Sequence, residues 1–242
     1  MEHKNSSIVV AILLIIAFTI NGISQNAYNG NISLAGQNKI DSFPINYPNI
    51  SVINGDLIII DGNLLDSLYN ITTINGYLDI NGSVSNFNGL NNLTHVGQTL
   101  YVNTTSSSLS CIGLNNLTYC SNFRPEGNNT NISFNGLSNA NLKINIMHMV
   151  GMNFTDFTGI STTAKVDGLN LINCQFTNFG GFENIDSLSV LAIQNGTSFN
   201  SYNGFNSIEH IGTFLITDAI NPPTFAGLET LTSINEIEYY LY

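Results

Sequence analysis

Glycines recur through this chain at nearly constant intervals. Gly89, Gly113, Gly136, Gly159, Gly181, Gly204 and Gly227 are separated by 24, 23, 23, 22, 23 and 23 residues. Each opens the same phrase: glycine, an apolar residue, two polar positions, a second apolar residue, two more positions, then a third. It reads Gly89-Leu90…Leu93…Val96, Gly113-Leu114…Leu117…Cys120, Gly181-Phe182…Ile185…Leu188, Gly204-Phe205…Ile208…Ile211 and Gly227-Leu228…Leu231…Ile234. Gly159-Ile160…Ala164…Val166 is a looser copy, and an earlier one, Leu68…Ile71…Ile74, has Ser67 in the glycine's place. A fixed period of roughly 20–50 residues marks a repeat architecture in which no unit buries its own apolar face.

Counting from the glycine exposes further columns. Two residues before it stand Leu65, Phe87, Cys111, Phe134, Phe157, Phe179, Tyr202 and Phe225; five before it stand Phe154, Phe176 and Phe199. After the third apolar position comes a short alternation: Leu57-Ile59, Leu78-Ile80, Leu100-Val102, Leu169-Leu171, Leu191-Ile193 and Phe214-Ile216. Period-two alternation is the pattern of a strand with one buried face. The aromatic column includes leucine and cysteine, as an interior column does, and is expected to be core. The glycine is expected at a bend where backbone crowds backbone. The chain should therefore be all-β: a single-domain, right-handed parallel β-solenoid of about eight coils of ~23 residues, its interior built by stacking like on like.

The termini divide the chain. Lys4 precedes an apolar run from Ile8 to Ile20, followed by Gly22-Ile23-Ser24 before Gln25. That is the layout of a secretory signal peptide, and the run is short for a membrane span of about 20 residues. Residues 1–24 are read as the leader, 25–52 as an entry and capping segment and 53–242 as the solenoid. A secreted or cell-surface protein is the expected localisation. The register blurs between Phe123 and Met152. Gly136-Leu137…Ala140 starts correctly, but Leu142, Ile144 and Ile146 fit only with a shift, and Arg124-Pro125-Glu126-Gly127-Asn128 reads as an outward loop. The period resumes in step, so this is one irregular coil. Cys111 and Cys120 fall at positions apolar in other coils and read as small buried hydrophobes, while Cys174 is left over.

The phrase Gly-Leu-Asn-Asn-Leu-Thr-x-Val-Gly-x-x-Leu-x-Val, from Gly89 onward, resembles the receptor L-domain repeat. That leucine-rich-repeat-like solenoid occurs in receptor ectodomains, fungal wall proteins and exported bacterial surface proteins. Ile40–Pro48 followed by Val52-Ile53-Asn54-Gly55-Asp56-Leu57 looks like the entry segment and first strand of the bacterial versions. The resemblance runs from about Lys39 to the C-terminus. The chain departs from the receptor versions in lacking their cysteine-stapled ends and any tryptophan. In the family the exposed sheet face is commonly where partners dock, which implies recognition and adhesion, not catalysis. The outward strand positions are Ile58, Ile60, Asp79, Asn81, Tyr101, Asn103, Asn170, Ile172, Ala192, Gln194, Leu215 and Thr217. Asp79, Tyr101, Asn103, Asn170, Gln194, Leu215 and Thr217 are the candidate ligand-binding set. The implied partner is a protein or glycan at a cell surface. A purely structural envelope or spacer element is the alternative, and a glycan-active β-helix enzyme the third reading.

Chemistry narrows this further. Only five basic residues stand against sixteen acidic ones, for a formal net charge of −11. A nucleic-acid footprint is absent from such a composition. His95, His148 and His210 lie at no metal-ligand spacing, and no metal or cofactor is expected. Asp56, Asp61 and Asp79 could approach one another on neighbouring coils but follow no calcium-loop pattern. No nucleophile elbow or phosphate loop occurs. Asn-x-Ser/Thr phrases at Asn70, Asn92, Asn103, Asn116, Asn153 and Asn195 are read as a product of Asn/Ser/Thr-rich composition. The final segment Ile234–Tyr242 begins a new coil with no polar cap after it. Self-association through this edge strand is expected, or else continuation of the array in a longer chain of which this sequence is a fragment.

Overall fold

The computed structural model describes residues 26–218 and 224–240, so the leader reading at 1–24 lies outside the described residues. The chain winds into a parallel β-solenoid of about nine turns with ~23-residue spacing, a single all-β domain with 6% helix. Its strands are β1 (Asn26–Tyr28), β2 (Ile32–Ala35), β3 (Ile50–Ile53), β4 (Leu57–Gly62), β5 (Thr73–Ile74), β6 (Leu78–Gly82), β7 (His95–Thr104), β8 (Ser108–Ser110), β9 (Tyr119–Ser133), β10 (Lys143–Asn153), β11 (Lys165–Ile172), β12 (Ser187–Gln194), β13 (His210–Thr217) and β14 (Ser233–Tyr240). They form one sheet in the order β1-β3-β5-β7-β9-β10-β11-β12-β13-β14, with β2-β4-β6 pairing alongside and joining at β7. Early coils carry two short strands where later coils carry one long one. The break falls at Asn54-Gly55 and Asn75-Gly76, where amides ladder from coil to coil: Asn54 Nδ2 donates to Asn29 Oδ1 and Asn75 Nδ2 to Asn54 Oδ1, both at 2.7 Å. The extra turn beyond the eight expected is built by β1 and β2, inside the segment read as an entry cap.

The periodic glycine follows from two separate demands. In each coil the residue two before it accepts a hydrogen bond from the residue after it, as in Leu90 N to Phe87 O (2.9 Å) and Leu114 N to Cys111 O (3.1 Å). A four-residue turn of this kind with positive φ at its third position is the type II geometry, which favours glycine there. The column's φ values run from 96° at Gly89 to 117° at Gly136. The same atoms also sit directly over the coil below. A Cβ on Gly113 would lie 2.0 Å from the Phe87 carbonyl oxygen. Ser67 escapes both demands, because its copy is a 3-10 turn, Asp66–Leu68, stacked on two short N-terminal helices (Gln37–Asp41 and Phe43–Asn46) instead of on a preceding turn.

A second turn follows at once, with Leu93 N bonded to Leu90 O and Leu117 N to Leu114 O. Successive three-residue steps explain why the phrase places apolar residues three apart: Phe87, Leu90 and Leu93 all point inward and are buried. Next comes a threonine column. Thr72, Thr94 and Thr118 each donate a hydroxyl to the carbonyl of the coil before, at 3.1, 2.9 and 2.8 Å.

The interior is one continuous apolar column. Phe134, Phe157, Phe179 and Tyr202 are buried and stack coil on coil at 5.2, 5.8 and 5.9 Å between ring centroids. Phe154, Phe176 and Phe199 form a second stack at 5.0 and 5.1 Å. Phe225, expected in the same interior column, is 67% exposed. A column residue is covered only with a coil on each side, and among the described residues Phe225 has one.

The middle of the chain corrects the reading of an outward loop. Arg124–Asn128 lies inside β9, with Tyr101 paired to Arg124, Val102 to Pro125 and Asn103 to Glu126. Phe123 and Pro125 take the interior strand positions that Leu100 and Val102 hold one coil earlier. The Arg-Pro-Glu-Gly-Asn composition mimics a turn, but positive φ comes only at the next residue, Asn129 (φ 54°). In the next coil the inward residues are Met147 and Met149, while Ile146 is 37% exposed and Ala140 lies at the surface. The blurred register is thus a local displacement of the apolar phrase ahead of a normal strand.

Candidate functional site

Parallel in-register pairing turns every outward strand position into a column along the solenoid. One column runs Ile58, Asp79, Tyr101, Arg124 and, from β10 on, His148, Asn170, Ala192, Leu215, Glu238. Its neighbour runs Ile60, Asn81, Asn103, Glu126, Val150, Ile172, Gln194, Thr217, Tyr240. All seven candidate residues fall in these two adjacent columns. The strands are held by the buried core beneath, so the side chains are presented from a rigid support. Ala192, expected outward and open, keeps its outward register but is only 2% exposed, since it is small and lies between Asn170 and Leu215.

Reading Arg124–Asn128 as a loop hid Arg124 and Glu126, two members of this face. Tyr101 donates its hydroxyl to Glu126 Oε2 at 2.8 Å. Arg124 Nε donates to Glu126 Oε1 at 2.7 Å, and the guanidinium lies 5.3 Å from the centre of the Tyr101 ring. One coil on, Asn170 Nδ2 donates to His148 Nδ1 at 3.2 Å, and Gln194 Nε2 donates to Asn170 Oδ1 at 3.0 Å. At the other end Asn81 Nδ2 donates to Asp79 Oδ1 at 2.7 Å. The signal for Arg124 and Glu126 was present: each stands 23 residues beyond Tyr101 and Asn103, one period on.

Partial burial against neighbouring side chains tunes the ionisable members. Tyr101 is pushed up to about 12, first by desolvation and then by its bond to the Glu126 carboxylate. Desolvation raises Asp79 above the usual carboxylate range, with the Asn81 amide opposing. His148 is lowered, chiefly by desolvation and then by the Arg124 charge. Each shift disfavours the charged form of its group, as partial removal from water does.

Elsewhere the candidate groups hold the fold together. Asp56 Oδ1 accepts from Tyr77 N at 2.9 Å, and no group of three or more His, Cys, Asp or Glu residues able to hold a metal ion occurs among the described residues. His95 stacks on Tyr119 at 5.0 Å, and His210 Nδ1 meets Ser233 Oγ at 2.8 Å. Asn92 and Asn116, in Asn-x-Thr phrases read as a product of composition, donate their amides to Tyr69 O (2.7 Å) and Asn91 O (2.6 Å) of the preceding coil. Cys111, Cys120 and Cys174 are free and buried. At the far end, Ile237 and Tyr239 pair in register with the interior residues Phe214 and Ile216, yet are 67% and 51% exposed. No helix among the described residues is long and apolar enough to cross a membrane.

The fold and face define a parallel β-solenoid repeat protein. Comparison with family models, with curated proteins and with solved structures finds no match.

Proposed function

We propose that this chain is an exported, non-catalytic recognition or adhesion protein of the receptor L-domain-like type, binding a cell-surface partner through its outward sheet face. One observation carries the reading. Side chains on that face are tied to one another from Tyr101 through Glu126 to Arg124, and from His148 through Asn170 to Gln194. Those bonds run between outward side chains and contribute nothing to the apolar stack. A surface whose groups are already oriented loses less freedom when it binds. The same proposal includes self-association through β14, supported by its exposed interior-register side chains.

The mature chain, labelled and applied to cell surfaces, tests the reading. Tyr101→Asp with Leu215→Asp should abolish attachment while leaving the circular dichroism spectrum unchanged. Attachment that persists in this variant would favour the structural-spacer alternative. Light scattering of Ile237→Lys against the parent tests self-association, with a monomeric parent counting against it.

A further inference from the structure

We infer that the ligand of this face is a neutral, hydroxyl-rich polysaccharide lying along the solenoid axis. This rests on the proposed recognition role and names the chemical class that role would take.

The inference comes from the groups the network leaves over. Three acceptors have no partner among the described residues: Asp79 Oδ2, Asn81 Oδ1 and Gln194 Oε1. Two donors are likewise left, Arg124 Nη1 and, because Nδ1 accepts from Asn170, His148 Nε2. Asn103, exposed in the middle, offers one of each. None of these atoms is among the buried unpartnered ones, so all reach solvent. Donors and acceptors are interleaved over one surface. A sulfate or carboxylate supplies acceptors alone, and an ammonium supplies donors alone. A hydroxyl is both at once, so a polyol answers the whole set through one repeated group, where a peptide must present separate N–H and C=O groups in register.

Charge points the same way. Arg124 is matched by Glu126, Asp79 is left over, and the chain carries a formal −11. An acidic glycan would approach against that field. The groups extend from the Asp79 coil to the Gln194 coil, five strand steps, or about 24 Å at the usual ~4.8 Å spacing. Such a row fits an oligomer in place of a single sugar. The Tyr101 ring and the half-buried Ile172 add apolar surface between the polar groups, and the half-buried Leu215 adds more one strand beyond Gln194. Tyrosine suits such a surface because it is amphipathic and rigid.

Calorimetry with soluble neutral glucan, mannan and galactan, against polygalacturonate and heparin, tests this. At least one neutral polymer should bind, its monosaccharide should not compete, and affinity should rise with oligomer length and then level off. Asn103→Ala removes only unpartnered groups and should weaken binding about tenfold, with Gln194→Ala similar, as the loss of one or two hydrogen bonds gives. Binding of the acidic polymers alone would overturn the inference. So would capture of a protein partner that Asn103→Ala weakens while every polysaccharide is ignored. Both results would leave recognition by this face standing. Attachment to cells that no face substitution alters would overturn inference and recognition together.

Discussion

Alanine in place of Gly113 separates the two reasons for the glycine column. Gly113 has φ 104° and faces the Phe87 carbonyl oxygen, 2.0 Å from where a Cβ would stand. Gly36 has φ 80° with nothing within 4 Å of its added Cβ. Gly36→Ala therefore reports backbone strain alone, about 1–3 kcal/mol for its φ 80°, ψ 155° backbone. Gly113→Ala adds a clash with backbone that side-chain rotation cannot relieve. Ordinary contact begins near 3.4 Å, so the two coils must separate locally by about 1.4 Å. Overpacking of that kind costs about 1–3 kcal/mol. It also stretches the adjoining bond from Phe87 N to Ile112 O, 2.8 Å in the structure, worth about 1 kcal/mol. The expected total is about 3–7 kcal/mol, or a fall in Tm of roughly 6–28 °C against roughly 2–12 °C for Gly36→Ala, at about 2–4 °C per kcal/mol for a chain of this size. Solenoids can open coil by coil. Hydrogen exchange at the Leu90, Leu114 and Leu137 amides should therefore accompany the melt, with protection lost first around Gly113. If Gly113→Ala fell within about 1 kcal/mol of Gly36→Ala, close stacking would not be what selects glycine, and only the turn would remain as its cause.

Phe179→Ala, which empties a position stacked between Phe157 and Tyr202, should destabilise by about 3–5 kcal/mol in equilibrium denaturation. Thr118→Val keeps the shape but deletes the bond to Thr94 O, and should cost about 1 kcal/mol by the same measurement. Asp79→Asn should raise Tm at neutral pH. The folded carboxyl titrates above its unfolded value, so its favourable contribution is present at low pH and lost as pH rises through the folded value. The gain should vanish well below pH 3.8, where both states are protonated. All three thiols should resist aromatic disulfide reagents until the chain unfolds, because burial pushes Cys120 up to about 12, Cys174 up to about 11 and Cys111 higher still.

What could be read without coordinates follows from what repetition constrains. Stacking forces each coil to repeat its neighbour wherever backbone or core meets the next turn. The glycines, the aromatic column and the inward strand pairs were therefore legible, and Phe157, Phe179 and Tyr202 are buried where the period places them. The N-terminal turn was not, because β1 and β2 carry no glycine phrase and are too short to show their own periodicity. Nor was the strand through Arg124–Asn128: proline and glycine there signal a turn, and Pro125 is tolerated because its ring fills an interior position already shaped for Val102.

The outward face obeys no such rule, and that explains why its chemistry was half seen. Nothing in the stack dictates what projects into solvent, so Asp79, Tyr101 and Arg124 can follow one another in a single column without resembling each other. Their positions can be counted from the period, but their interactions cannot, since the bond from Tyr101 to Glu126 crosses from one column to the next and depends on how neighbouring strands are offset. The blurred stretch from Phe123 to Met152 was enough to remove Arg124, Glu126 and His148 from view. With them restored, the least repetitive part of the molecule carries bonded groups of outward polar side chains. Because the fold leaves those positions free, a network extending from Tyr101 to Arg124 and from His148 to Gln194 is the feature that stacking alone does not account for.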